Sequence, residues 1–270
     1  MCATCGCDQP GMIKITNVRD MLFPTAGHHH DHPHTKHSDL NIKTPDLKRT
    51  HVDLELDILH KNNLLAERNR GYFAAKEITS FNLVSSPGSG KTALLECTLR
   101  DLNKDFDFYV IEGDQQTTND AERIAVYQVP VTQINTGKGC HLDSTMVWDA
   151  LQELKPKDHS IVFIENIGNL VCPSMFDLGE QKRIVIISVT EGEDKPLKYP
   201  DMFAGSQLCI INKIDLLPYL KFDLAKLREY AKRINPLLEF IELSCSSGEG
   251  LDQWYAWLKR ELKHQEIPVT

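Results

Sequence analysis

Residues 85–92 read SSPGSGKT, set between the apolar run Phe81 to Ser85 and a stretch expected to be helical from Lys91 to about Asn103. A glycine-rich turn between a strand and a helix is built to wrap phosphate. Gly88 and Gly90 let backbone N–H groups turn inward, and the helix N-terminus adds partial positive charge. Lys91 is expected to reach the β/γ oxygens and the Thr92 hydroxyl to coordinate Mg²⁺, with Ser86, Pro87, Gly88, Ser89, Gly90 and Ala93 completing the cradle. Ser85 stands where the usual pattern opens on glycine, which the turn accepts provided that its φ stays negative. A loop of this kind demands a strand-loop-helix scaffold, and the rest of the chain is read against that demand.

Short runs that are nearly all apolar recur at Phe108–Glu112, Ile161–Ile164, Ile184–Val189, Leu208–Ile211 and Phe240–Leu243. They suit parallel strands covered on both faces. Helices are expected at Asn119–Tyr127, around Met146–Leu154, at Leu224–Ile234 and at Leu251–Leu262. The alternation predicts an α/β fold, a mainly parallel sheet flanked by helices. Upstream, Leu54, Ile58, Leu59, Leu64 and Leu65 predict a helical lead-in between about Asp46 and Lys76, with Gly71 marking a break or close approach. Residues 1–45 show no sustained periodicity and are interrupted by Pro10, Pro24, Pro33 and Pro45. They read as a metal-binding extension, largely disordered without metal, preceding a nucleotide-binding unit at 46–270.

Asn212-Lys213-Ile214-Asp215 follows an apolar strand, so its polar groups sit at a carboxyl edge, where α/β sheets place ligands. The Asp215 carboxylate accepts two hydrogen bonds and matches the N1–H and 2-amino group of guanine; adenine offers neither donor. Asn212 either binds the other base edge or ties neighbouring loops, and the Lys213 stem covers the base plane. Ser244 and Cys245 follow the last strand and can present a backbone N–H to guanine O6. GTP and GDP are therefore the expected nucleotides.

Two acidic clusters end strands: Glu112-Gly113-Asp114-Gln115 and Glu165-Asn166-Ile167-Gly168. Mg²⁺ takes one or two carboxylates plus phosphate oxygens. Asp114 is the first candidate for Mg²⁺ or water positioning, with Glu165 acting through water. Lys91, Asp114 and Glu165 form the candidate catalytic set; either glutamate can instead be a solvated strand end.

The chain has 270 residues, a formal net charge of −8 and 41% apolar residues. The charge gives no support for nucleic-acid binding, and no apolar run approaches the length of a membrane span. The N-terminus, which opens on cysteines, does not read as a signal peptide. A reducing cytoplasm is expected, where clustered cysteines serve metals more often than disulfides. Cys2, Cys5 and Cys7 put three thiols in six residues. Such thiolates take Ni²⁺, Zn²⁺ or Cu⁺; with the terminal amine or a backbone nitrogen they suit square-planar Ni²⁺, while tetrahedral Zn²⁺ lacks a fourth local side chain. His28, His29, His30, His32, His34 and His37 form a chelating tract for Ni²⁺ or Zn²⁺, suited to storage or delivery. Cys140, His141 and Cys172 lie inside the nucleotide-binding unit, Cys172 seven residues after Glu165. They are candidate metal ligands or ordinary loop residues, and two protomers can pool such ligands across a two-fold axis. Cys97, Cys209 and Cys245 read as core or loop residues.

Taken together, CATCGC, the histidine tract, SSPGSGKT, VIEGDQQTTNDAERI, GKGCHLD, ENIGNLVCP, NKID and the Ser244 loop resemble the HypB-type GTPases that incorporate nickel into hydrogenase and sometimes urease. The resemblance spans nearly the whole chain. It implies a fold of the SIMIBI branch of P-loop proteins and a GTP-dependent homodimer. It also implies a high-affinity nickel site at Cys2, Cys5 and Cys7, and a weaker Zn²⁺/Ni²⁺ site at Cys140, His141 and Cys172 near the dimer interface. Implied partners are a HypA-type nickel/zinc accessory protein and the hydrogenase large-subunit precursor, with urease maturation proteins as a further possibility. The expected activity is slow, Mg²⁺-dependent GTP hydrolysis coupled to Ni²⁺ delivery; the competing readings are nickel buffering, with the nucleotide only controlling assembly, and insertion into urease.

Overall fold

The computed structural model describes residues 14–17, 51–115 and 119–263. In chain order the elements are β1 (Lys14–Asn17), α1 (His51–Ala75), β2 (Thr79–Ser85), α2 (Lys91–Leu102), β3 (Phe108–Asp114), α3 (Asn119–Ala125), β4 (Val131–Asn135), α4 (Ser144–Leu154) and β5 (Ile161–Glu165). Then follow α5 (Cys172–Met175), β6 (Lys182–Ser188), α6 (Lys195–Lys198), α7 (Pro200–Ala204), β7 (Leu208–Asn212), a 3₁₀ turn (Ile214–Tyr219), α8 (Leu224–Ile234), β8 (Glu239–Glu242) and α9 (Leu251–Lys263). The sheet has eight strands in the order β1-β4-β3-β5-β2-β6-β7-β8. Every pairing is parallel except β1 with β4.

The predicted α/β architecture is present, with β2 central, as a phosphate loop requires. Strand side chains alternate between faces with period two. On one face Phe81, Leu83, Val110, Phe163, Ile184, Ile186 and Ile210 join Leu94, Leu95 and Leu99 of α2 and Trp254 and Trp257 of α9 in one cluster. On the other face the apolar core is in two pieces. Tyr109, Ile111, Val162 and Ile164 meet Phe73, Val147 and Leu151; Val185, Ile187, Cys209 and Ile211 meet Met202, Phe203 and Leu227. Between the pieces runs a polar seam, with Ser80 and Asn82 of β2 wholly buried.

Three local readings change. Strand β4 was not foreseen: its inner positions include Thr132 and Gln133, both buried, so the run lacks an unbroken apolar pattern. Strand β1, inside the stretch read as an extension without periodicity, closes the sheet edge by antiparallel pairing with β4. The lead-in helix is continuous through Gly71, where an added Cβ meets nothing within 4 Å. Its buried stripe is Asn62, Ala66, Asn69 and Phe73, whereas Ile58 and Leu64 are exposed. Helix period was legible; which face packs was not. Among the described residues, no helix is long and apolar enough to cross a membrane.

Candidate functional site

The phosphate loop joins β2 to α2 with glycines in the left-handed region, Gly88 at φ 75° and Gly90 at φ 101°. Gly90 also has no room: an added Cβ would lie 2.3 Å from Asn212 Nδ2. Ser85 is not among the positive-φ residues, so a serine stands there without strain. It adds a contact that glycine lacks, because its hydroxyl accepts from Lys91 Nζ at 2.8 Å. Lys91 is buried; burial pushes its pKa down, against the pull of Glu165, Asp120 and Glu112.

Thr92 donates its hydroxyl to Glu165 Oε1 at 2.7 Å. The second Glu165 oxygen is buried and unpartnered, and burial lifts this carboxyl to about 7 despite Lys91 and Thr92. Glu112 lies opposite Glu165 in register on the adjacent parallel strand, so both carboxyls project from the same face. Glu112 Oε2 is also unpartnered; burial, then the charges of Glu165 and Asp114, raise this carboxyl to about 9. Two carboxyls with unfilled oxygen positions beside a threonine hydroxyl fit a hard, oxygen-seeking divalent cation. Asp114 sits at the end of β3, half-buried.

Asn212 ties loops together. Its Nδ2 donates to Ser89 O at 2.9 Å, and its Oδ1 accepts from the N–H groups of Lys213 and Cys245 at 2.7 and 3.3 Å. Lys213 Nζ donates to Gly88 O at 2.7 Å. Asp215 has one carboxylate oxygen buried and unpartnered, as an acceptor for a base edge requires. The Ser244 N–H donates to Glu249 O within its own loop, whereas the Cys245 N–H reaches across to Asn212, so both groups brace the loop.

Sequence reading missed the brace beneath the phosphate loop. Glu191 accepts from Ser89 Oγ at 2.7 Å and from Ser188 N at 3.0 Å. It also pairs with Lys195, which in turn donates to Ser86 Oγ at 3.1 Å. The hydrogen bonds from Ser86, Ser89 and Lys195 overcome burial and hold Glu191 below its ordinary value. Asp120, in the first turn of α3, was missed too; its charge acts on Lys91, Glu112 and Glu165. The signals were a charged cluster after an apolar strand and an acid opening a helix, both common on solvated surfaces.

Cys172 converges with the adjacent pair Cys140 and His141 from 32 positions away: one ligand atom from each lies within 4.8 Å of the others. The two sulfurs are 2.8 Å apart, within hydrogen-bond reach of each other. His141 stacks on Phe176 with ring centroids 3.8 Å apart. Burial lowers its pKa against the opposing effect of Asp143, which favours the neutral imidazole that binds metal. Cys97 and Cys209 are buried in the core. Cys2, Cys5, Cys7 and the tract from His28 to His37 lie outside the described residues, as does nearly all of the 1–45 extension.

Comparison with known proteins agrees with this arrangement. Residues 79–242 match the family described as CobW/HypB/UreG, nucleotide-binding domain. The hydrogenase maturation factor HypB of Escherichia coli (strain K12) is 46% identical, over 97% of this chain and 99% of the relative. A probable hydrogenase maturation factor HypB of Methanocaldococcus jannaschii is 40% identical, over 78% of this chain and 96% of the relative. The crystal structure of HypB from Helicobacter pylori in complex with nickel superposes with a TM-score of 0.71 at 36% identity, covering 78% of this chain and 99% of that one. With its phosphate loop and a sheet that matches theirs, this chain belongs to the HypB-type hydrogenase maturation factors of the CobW/HypB/UreG family of P-loop GTPases.

Proposed function

We propose that this chain is a GTP-hydrolysing metallochaperone that delivers Ni²⁺ to the large-subunit precursor of a [NiFe]-hydrogenase. The observation that carries the reading is the Cys140–His141–Cys172 cluster, built on loops that continue from the nucleotide-facing ends of β4 and β5. A metal held there would feel the state of Glu165 by linkage. The nickel in the Helicobacter pylori structure supports Ni²⁺ as cargo; two thiolates and an imidazole suit Zn²⁺ as well.

Thr92 and Glu165, with Asp114 beyond them, would hold Mg²⁺. Bound there, the ion neutralises charge developing on the phosphate oxygens. Lys91 takes the β/γ oxygens, Asp215 reads the guanine edge, and Asn212 and Lys213 fix the base loop to the phosphate loop. A water oriented near Asp114 attacks the γ-phosphate. No catalytic arginine stands out in the sequence, so turnover is slow, at or below about 0.01 s⁻¹. GTP brings two protomers together, pooling their Cys140, His141 and Cys172 ligands. Cys2, Cys5, Cys7 and the histidines from His28 to His37 load nickel first, and a HypA-type protein shares the transfer. The free thiols of Cys97, Cys172, Cys209 and Cys245 support a reducing cytoplasm.

The test is Ni²⁺ transfer from the loaded full chain to a HypA-type protein and to hydrogenase precursor, with GTP, GDP or a non-hydrolysable analogue. GTP-dependent transfer is expected, and Lys91→Ala should lower the hydrolysis rate by about 10²–10³-fold and abolish hydrogenase activation. Transfer indifferent to nucleotide would sink delivery and favour nickel buffering; transfer to urease maturation proteins alone would redirect the client.

A further inference from the structure

Asn82 is a polar side chain in the middle of the central strand, wholly inaccessible to water. A buried amide persists only where its donors and acceptor are matched, and the matches here form a chain. Asn82 Oδ1 accepts from Asn166 Nδ2 at 3.3 Å, and Asn82 Nδ2 donates to Glu180 Oε1 at 3.0 Å. Asn166 follows Glu165 directly. Its Oδ1 accepts from Ile167 N at 2.9 Å and from Leu142 N at 3.3 Å, and Leu142 follows the Cys140–His141 pair. Asn169 adds a second tie to that loop by donating to Cys140 O at 3.3 Å.

The other end of the chain reaches the remaining metal ligand. Glu180 Oε1 accepts from Arg183 Nε at 3.1 Å and Nη2 at 2.9 Å, and its other oxygen accepts from Leu178 N at 2.9 Å. The Arg183 guanidinium then donates to Ser174 O at 3.2 Å and Phe176 O at 3.1 Å. Those carbonyls lie within and just after α5, which begins at Cys172; Phe176 is also the ring on which His141 stacks. Asn166, Asn82, Glu180 and Arg183 are all buried, the last two with a small residual exposure, so water has little access to these bonds.

We infer that Asn166 and Asn82 are positioning residues that transmit the state of the nucleotide site to the metal site, through Leu142 on one side and through Glu180 and Arg183 on the other. The inference rests on the functional reading above and supplies its route. Glu165 is joined to Thr92 in the phosphate loop, so a change there moves Asn166, the next residue. The segment has little slack toward the loop, since a Cβ at Gly168 would stand 3.0 Å from Pro87 Cα. Motion is passed instead into directional, water-excluded hydrogen bonds that end on both metal-bearing segments.

The test uses the full chain carrying Cys2→Ser, Cys5→Ser and Cys7→Ser, so that thiolate-to-nickel charge-transfer absorbance reports on the internal site. Ni²⁺ is titrated without nucleotide, with GDP, and with a non-hydrolysable GTP analogue. A ratio of about tenfold between the two nucleotide states is expected for the unaltered seam, within the usual range of coupling between sites. Asn82→Leu removes the branch through Glu180 while the Asn166–Leu142 bond remains, so it should bring that ratio down to about threefold, while Ni²⁺ affinity without nucleotide and the KM for GTP stay unchanged. Asn82→Ser serves the same purpose if the leucine variant does not fold. An unchanged ratio in the variant, beside a large one in its parent, would overturn the relay and leave the function standing. A flat ratio in the parent would overturn both.

Discussion

On the sheet face shared with α2 and α9, seven strands contribute to one unbroken apolar layer. Phe81, Phe163 and Phe108 stack in sequence with centroids 5.4 and 5.9 Å apart, and Trp254 stacks on Trp257 at 5.6 Å. On the opposite face the core is divided, and Asn82, Asn166, Glu180 and Arg183 occupy the division. The phosphate loop and the acid pair Glu112 and Glu165 belong to the first face; the segments that carry Cys140, His141 and Cys172 are tied to the second. Dispersion and area burial on the first face are non-directional and tolerate small displacements. Hydrogen bonds on the second have fixed partners and angles. Rigidity supports the chemistry, and directionality suits the reporting of it.

Substitutions on the two faces should therefore fail differently. Phe163→Ala, in the centre of the aromatic layer, should cost about 3–5 kcal/mol in denaturant unfolding, with no second substitution restoring it. Arg183→Met should cost about 3 kcal/mol, because it strands the buried Glu180 carboxylate. Adding Glu180→Leu should recover more than half of that loss. If the double variant is no better than the single, the seam is holding the core by shape and not by charge matching.

A titration separates the faces further. Burial opposes the charge on Glu180, but Arg183, Asn82 and backbone N–H donors outweigh it and hold the carboxyl below its ordinary 4.5. Its contribution to stability is therefore complete above the unfolded value and is lost as pH falls through the lower folded one. Glu180→Gln should lower Tm most near neutral pH, and the gap from the parent should narrow as pH falls below 4.5 and through the lower folded value. A gap constant across pH would assign the loss to geometry alone. The smallest effect belongs to α1: Leu64→Ser, at an exposed position, should shift stability by less than about 0.5 kcal/mol. A larger loss would mean that this face of the helix is covered in solution.

What the sequence disclosed follows the same division. Strands β5, β6 and β7 were visible because both their faces are largely apolar, β2 because it leads into the phosphate loop, and the phosphate and base loops because their residue types are nearly unique to their chemistry. The seam was not. Asn82 and Glu180 are 98 residues apart, and an asparagine in an apolar run carries no mark of its partner. Glu191 and Lys195 looked like any solvated acidic loop. Cys140, His141 and Cys172 were legible as ligand types, but the 32 residues between the two cysteines concealed their meeting. Strand β4 was lost because its polar residues turn inward.

The absence of space at Gly90 has a consequence for how such a protein can change. Asn212 rests against a backbone position that cannot carry a side chain, while its amide and the Lys213 ammonium hold the carbonyls of Ser89 and Gly88. Base choice and phosphate grip are thus cut from one piece. A loop transplant meant to exchange guanine for adenine would loosen the phosphate cradle in the same stroke, so nucleotide preference is a trait that cannot drift by single steps.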